Sequence, residues 1–125
     1  MILRALALTL LASPAMAFTA SNDLAVRATG KDTFSVPYGG QSGPAAFWCA
    51  AGDYVVRDLG QGPQTRIYRT SPVPRKSGQA MEFSLTASAS AGKSGLILLG
   101  SDDGGVSAVM AQTLCSVAEH LGPAF

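Results

Sequence analysis

The sequence predicts an α+β domain, with one mostly antiparallel sheet of about five strands in the order ββαβββα and two helices on one face linked by a disulfide. Three observations carry that expectation. Short stretches of alternating apolar and polar residues recur between Gly-, Pro- and Asp-rich turns, as half-buried strands require. Two longer stretches show helical spacing and end at glycine. Each of those two holds one of the chain's two cysteines, Cys49 and Cys115.

The chain opens MILRALALTLLASPAMAFTA. Arg4 supplies a positive start, Ala5 to Ala12 an apolar run, Ser13 and Pro14 a break, and Ala15-Met16-Ala17 small residues at a cleavage site. This is the pattern of a bacterial signal peptide removed after Ala17. The apolar run is far below the ~20 residues that span a bilayer as a helix. Residues 18–125 then form one small domain, with no later stretch long enough to cross a membrane. Periplasmic or secreted localisation follows from the leader.

Asn22 to Ala28 reads as the first strand, with Leu24 and Val26 on one face. Thr29 to Asp32 is a turn, and Thr33 to Tyr38 the second strand. Pro37 lacks a ladder donor, which places this strand at a sheet edge or Pro37 near its end. Ser42 or Gly43 caps a helix with Pro44 in its first turn, a favoured place for proline. Within FWCAAGDYV, helical projection puts Trp48, Ala51, Gly52, Val55, Val56 and Leu59 on one side. Cys49 stands at its margin, and Asp53 and Arg57 lie opposite as an i,i+4 pair. Gly60 stops the helix. Gly52 costs about 1 kcal/mol against Ala in a helix interior, so it reads as a site of close backbone approach.

Thr65 to Thr70 and Met81 to Thr86 alternate clearly and pair as a hairpin across the Pro-containing loop 71–78. Leu96 to Leu99 is a continuous apolar run between glycines, the expected form of a strand buried on both faces. Asp102 to Gly105 is a turn capping the last helix. On that helix Val106, Val109, Met110, Thr113, Leu114, Val117 and Leu121 form one stripe, and Cys115 lies on the other side with Ala108 and Ala111. Small residues there permit close approach to the first helix, in keeping with a Cys49–Cys115 bridge.

Two cysteines in an exported chain most simply form a disulfide. Their spacing is unlike the C-x-x-C of a redox pair. The chain has nine Lys+Arg and eight Asp+Glu; without Arg4 the count is eight against eight. That balance argues against nucleic acid as a partner.

Chemistry-bearing motifs are sparse. The single His, His120, sits in the last helical turn, where a cation suits the helix dipole. One His and two bridged Cys cannot complete a zinc site. AGKSG at 91–95 lacks the earlier glycine of a phosphate-binding loop, since Ala87 occupies that position, and a strand-like run follows it. SDDGG at 101–105 lacks the alternating acids of a calcium loop. No G-x-S-x-G elbow occurs. No cofactor and no catalytic residue is nominated. The segment from Gln61 to Met81 holds Arg66, Arg69, Arg75 and Lys76 and no acid. With Tyr68 on the face of Arg66, this patch suits a carboxylate or phosphate. A solvated, aggregation-resistant edge strand explains the same charges.

The signal peptide, FWCAAGDYV, the RIYR segment followed by Pro72-Val73-Pro74-Arg75, and Leu114-Cys115 together resemble small exported bacterial proteins. The resemblance covers most of the chain after the leader and implies no activity. The favoured reading is a non-enzymatic, disulfide-stapled binding or interaction domain for an anionic envelope component or an envelope protein. Its site residues are Arg66, Tyr68, Arg69, Arg75 and Lys76. Two alternatives stand beside it. One is a small envelope hydrolase using scattered acids or Asp53-Tyr54; the other is an accessory structural subunit of an envelope complex.

Overall fold

The computed structural model describes residues 17–41, 43–98 and 100–121, with side chains as far as Ser116. The expected leader, residues 1–16, lies outside the described residues, as does the His120 side chain. Six strands form one antiparallel sheet: β1 (Phe18–Thr19), β2 (Ala25–Ala28), β3 (Thr33–Val36), β4 (Arg66–Arg69), β5 (Met81–Ser84) and β6 (Gly105–Ser107). Their spatial order is β1-β2-β3-β5-β4-β6. Helix α1 (Pro44–Asp53) follows β3 and continues as a π-helical turn over Tyr54–Asp58; α2 (Ala108–Leu121) ends the described chain. Among the described residues no helix is long and apolar enough to cross a membrane.

The alternating stretches settle as strands because their apolar members meet across the sheet. Phe34 pairs with Phe83 and Val36 with Met81 in the β3–β5 ladder. Phe34 stacks on Phe83 at 5.4 Å, Trp48 meets Phe83 edge-on at 4.9 Å, and Tyr54 lies 4.8 Å from Phe34. Burial, and then the nearby Asp58 charge, hold the Tyr54 phenol above its ordinary pKa. The β4–β5 hairpin forms as expected. Pro37 falls just beyond the end of β3, which is an interior strand of the sheet.

Gly43 is the N-cap of α1 and Pro44 opens it. Every residue from Ala45 to Val55 is buried. Over that span the expected amphipathic helix is covered on all sides, and one of its two polar members is internal: Asp53 is buried, accepting from the Ser21 N–H at 2.9 Å and pairing at 2.7 Å with Arg57, which is exposed. The Cys49–Cys115 disulfide links the two helices with a Cα–Cα distance of 4.8 Å.

Three local expectations are corrected. Leu96 to Leu99 is not a buried strand: none of residues 96–98 is in a strand, and Ile97 is 97% exposed. The place beside β4 is taken by β6, and positive-φ glycines at Gly95 and Gly100 bracket the run and break its extension. Asp102 to Gly105 does not cap the last helix, because Gly105–Ser107 is strand and α2 begins at Ala108. Val106 is thus a sheet residue. The apolar stripe of α2 is turned only in part to the core, against which Leu114 packs. Val109 and Met110 are exposed, while Ala108 and Ala111 are fully buried against α1. Close helix contact selects the small-residue face and leaves Val109 and Met110 outside.

Candidate functional site

The basic residues nominated by sequence separate into two surroundings. Arg66 and Tyr68 project from one face of β4, with the guanidinium 5.8 Å over the Tyr68 ring. Arg66 also pairs with Asp103 at 3.2 Å. Arg69, on the opposite face, is buried beside Ile67. Arg75 is half-buried, stacked over the rings of Phe47 at 4.6 Å and Tyr38 at 5.5 Å. Lys76 is exposed on the loop beyond it.

Arg69 and Arg75 meet at a cavity of about 200 Å³ lined by Pro44, Arg69, Val73, Pro74, Arg75, Met81 and Gly95. The cavity lies at the start of α1, bounded by the loop after β4 and by Ser94-Gly95. A guanidinium has five N–H donors. In Arg69, Nε donates to the Ser71 carbonyl at 3.0 Å, Nη1 to Ser94 at 3.2 Å and Nη2 to Pro72 at 2.8 Å. One hydrogen remains on each terminal nitrogen. Among the described residues no carboxylate stands within ion-pair distance of Arg69. Burial, and then the neighbouring Arg75 charge, pull its pKa below the usual arginine value. A buried guanidinium is normally balanced by a carboxylate. Here the charge that acts on it is that of a second cation, Arg75.

Arg75 is held in place by donating to the carbonyls of Lys76 at 3.0 Å and Gln79 at 2.7 Å. The Ser94 carbonyl that receives Arg69 also receives Trp48 Nε1 at 2.9 Å. The α1 core residue and the buried arginine are thereby tied to one peptide. Gly95 has φ +83° and packs on the guanidinium so closely that a Cβ there would collide with Nη1. Only glycine fits both the backbone conformation and the contact.

Asp102 holds this peptide from the other side. Its carboxylate accepts from the Ser94 N–H at 3.0 Å, the Ser94 hydroxyl at 2.9 Å and the Gly104 N–H at 2.9 Å. Burial pushes the Asp102 pKa up, but these hydrogen bonds and the Lys93 charge outweigh it and leave it below the ordinary carboxylate value. A depressed folded-state pKa contributes stability above the unfolded value and loses it as pH falls through the folded one. The Tm difference between wild type and Asp102→Asn is therefore expected to be full near neutrality and to shrink below about pH 4, the ordinary Asp range. A difference that stays constant down to the acid transition would show that these bonds do not stabilise the ionised form.

Asp53 is committed to Ser21 and Arg57, and the Tyr54 ring lies between Phe18 at 5.7 Å and Phe34 at 4.8 Å. Among the described residues no group of His, Cys, Asp or Glu could hold a metal ion. Sequence reasoning named Arg69 and Arg75 but missed Pro44, Met81 and Gly95 as their surroundings. Only the Gly95 position carried a signal, as a glycine flanking an apolar run. No family model, curated protein or solved structure matches the chain.

Proposed function

We propose that this chain is a small exported, disulfide-stapled binding domain that takes an anionic group of the bacterial cell envelope into the Arg69–Arg75 cavity. One observation carries the reading: the buried Arg69 guanidinium has no carboxylate partner among the described residues and stands next to a second guanidinium. An anion between them would relieve their repulsion and accept from the remaining N–H groups of Arg69. Arginine forks suit carboxylate and phosphate. The cavity, about 200 Å³, is below the roughly 300 Å³ at which drug-sized pockets begin. It therefore favours a single anionic head group over a whole sugar or peptide. The sequence pattern of the leader and the internal disulfide support an oxidising, exported setting.

Inorganic phosphate and acetate are the probes. Titration of either into the ¹⁵N-labelled protein is expected to shift the Arg69 and Arg75 side-chain N–H resonances saturably. Arg75→Gln should weaken the response at least tenfold, about 1.4 kcal/mol, while Lys31→Glu leaves it unchanged. Shifts that are linear in ionic strength and survive in Arg75→Gln would remove the proposal. A second reading, an accessory subunit of an envelope complex, draws support from the exposed apolar side chains of Ile97, Val109 and Met110.

A further inference from the structure

The edge of the sheet at β6 carries a feature that is independent of the Arg69–Arg75 cavity. β6 ends the strand order, so among the described residues only one of its sides is paired. The Gly104 carbonyl accepts from the Arg69 N–H at 2.9 Å, and the Ala108 N–H donates to Thr65 at 2.8 Å. Residues 104, 106 and 108 therefore turn their backbone groups toward β4. By the alternation of an antiparallel ladder, Gly105 and Ser107 turn theirs outward. Outward groups on an edge strand are a template for another strand.

At Gly105 both outward groups are occupied by side chains. Its carbonyl accepts from Arg66 Nη2 at 3.0 Å, and its N–H donates to Asp103 Oδ1 at 2.9 Å. The same Arg66 Nη2 reaches both Asp103 oxygens, at 3.2 and 3.3 Å. Guanidinium, carboxylate and the Gly105 peptide groups close a ring that occupies the hydrogen bonds a neighbouring strand would need at Gly105. Both side chains are largely exposed, at 47% and 65%. A pair so placed contributes only about 0–1 kcal/mol to stability. Its distinctive effect is on the edge it covers.

Beside this edge runs an open groove of about 600 Å³ whose apolar lining is Ile97, Leu98, Val106 and Met110. Ile97 is almost wholly exposed and Met110 nearly half. Without the ring, the edge would offer free peptide groups over an apolar floor. A second copy carries the same strand and the same floor, and an antiparallel pair about a two-fold axis is self-complementary. We infer that the Arg66–Asp103 pair is a guard that keeps the β6 edge closed to strand addition by a second copy of this chain.

Sedimentation velocity over a concentration series tests the guard. Wild type is expected to remain monomeric, and Arg66→Ala to move to twice the monomer mass as concentration rises. Arg66→Lys, which restores a cationic donor, should return to the monomer. In the Arg66→Ala dimer the Gly105 and Ser107 amides should exchange at least about tenfold more slowly than in the monomer. Asp103→Ala carries the same expectation from the other partner and serves if the Arg66 variant does not fold. A folded variant that stays monomeric overturns the inference. So does a dimer in which those two amides gain no protection, since the copies would then meet elsewhere.

Discussion

Replacing Cys49 and Cys115 together by serine is expected to lower the Tm by roughly 20 °C, or to prevent folding at growth temperature. The bridge closes a loop with a sequence separation of 66. Loop-closure entropy for that length corresponds to about 4 kcal/mol, against a total stability of roughly 5–15 kcal/mol for a domain of this size. Each kcal/mol moves the Tm of a domain of about 100 residues by some 4–8 °C. The native state adds a second consequence. Cys49 is fully buried on a helix enclosed by the rest of the fold, so the bridge anchors α2 to the core from within. Calorimetry of the double variant decides the matter. A Tm within a few degrees of wild type would mean that helix packing alone holds α2.

Gly52→Ala is expected to destabilise the protein by up to about 2 kcal/mol, although alanine is the better helix former. The propensity gain is about 1 kcal/mol. Against it stand three contacts that a Cβ at Gly52 would make: Ala111 Cβ at 2.7 Å, the Ala108 carbonyl oxygen at 2.8 Å and the Gln112 nitrogen at 2.8 Å. Two of these are backbone atoms of α2, so no rotamer change relieves them. The helices would have to separate, and the nearby disulfide resists that. Overpacking costs about 1–3 kcal/mol, and with two unyielding backbone contacts this site belongs in the upper part of that range, above the propensity gain. Gly52→Val adds bulk and loses propensity, so a loss above 3 kcal/mol is expected. Chemical denaturation of both variants gives the order wild type, Ala, Val. An Ala variant more stable than wild type would show that the close approach is absent in solution.

Gly52 also marks how much of the fold could be read beforehand. Its place on the apolar side of the FWCAAGDYV helix signalled a close neighbour, and the small Ala108/Ala111 face of α2 signalled which one. The structure joins those two faces. The strands at Ala25–Ala28, Thr33–Val36, Arg66–Arg69 and Met81–Ser84 fall inside stretches whose alternation predicted them. β1 and β6 were missed because two or three residues are too short to display a period. Leu96 to Leu98 misled for the converse reason. Its composition suits a buried strand, but among the described residues no strand pairs with it.

The candidate site was legible as residue types and not as an arrangement. Arg69 and Arg66 alternate on one strand, and alternation does place them on opposite faces. Whether the inward one would be paired, neutralised or left beside Arg75 depends on the Ser71, Pro72 and Ser94 carbonyls. One of those lies 25 residues away in sequence.

By itself the sequence determined what short-range patterns and counting can determine: the α+β class, the helix stop at Gly60, the β4–β5 hairpin and the pairing of the only two cysteines. Tertiary structure alone decided which face of α2 is buried, that Asp53 and Arg69 lie inside, and that Gly105–Ser107 instead of Leu96–Leu99 borders β4. The physical reason is the range of the interactions. Periodicity, capping and glycine stops act within a few residues of the chain. Desolvation, close helix approach and strand neighbours are set by groups that only folding brings together.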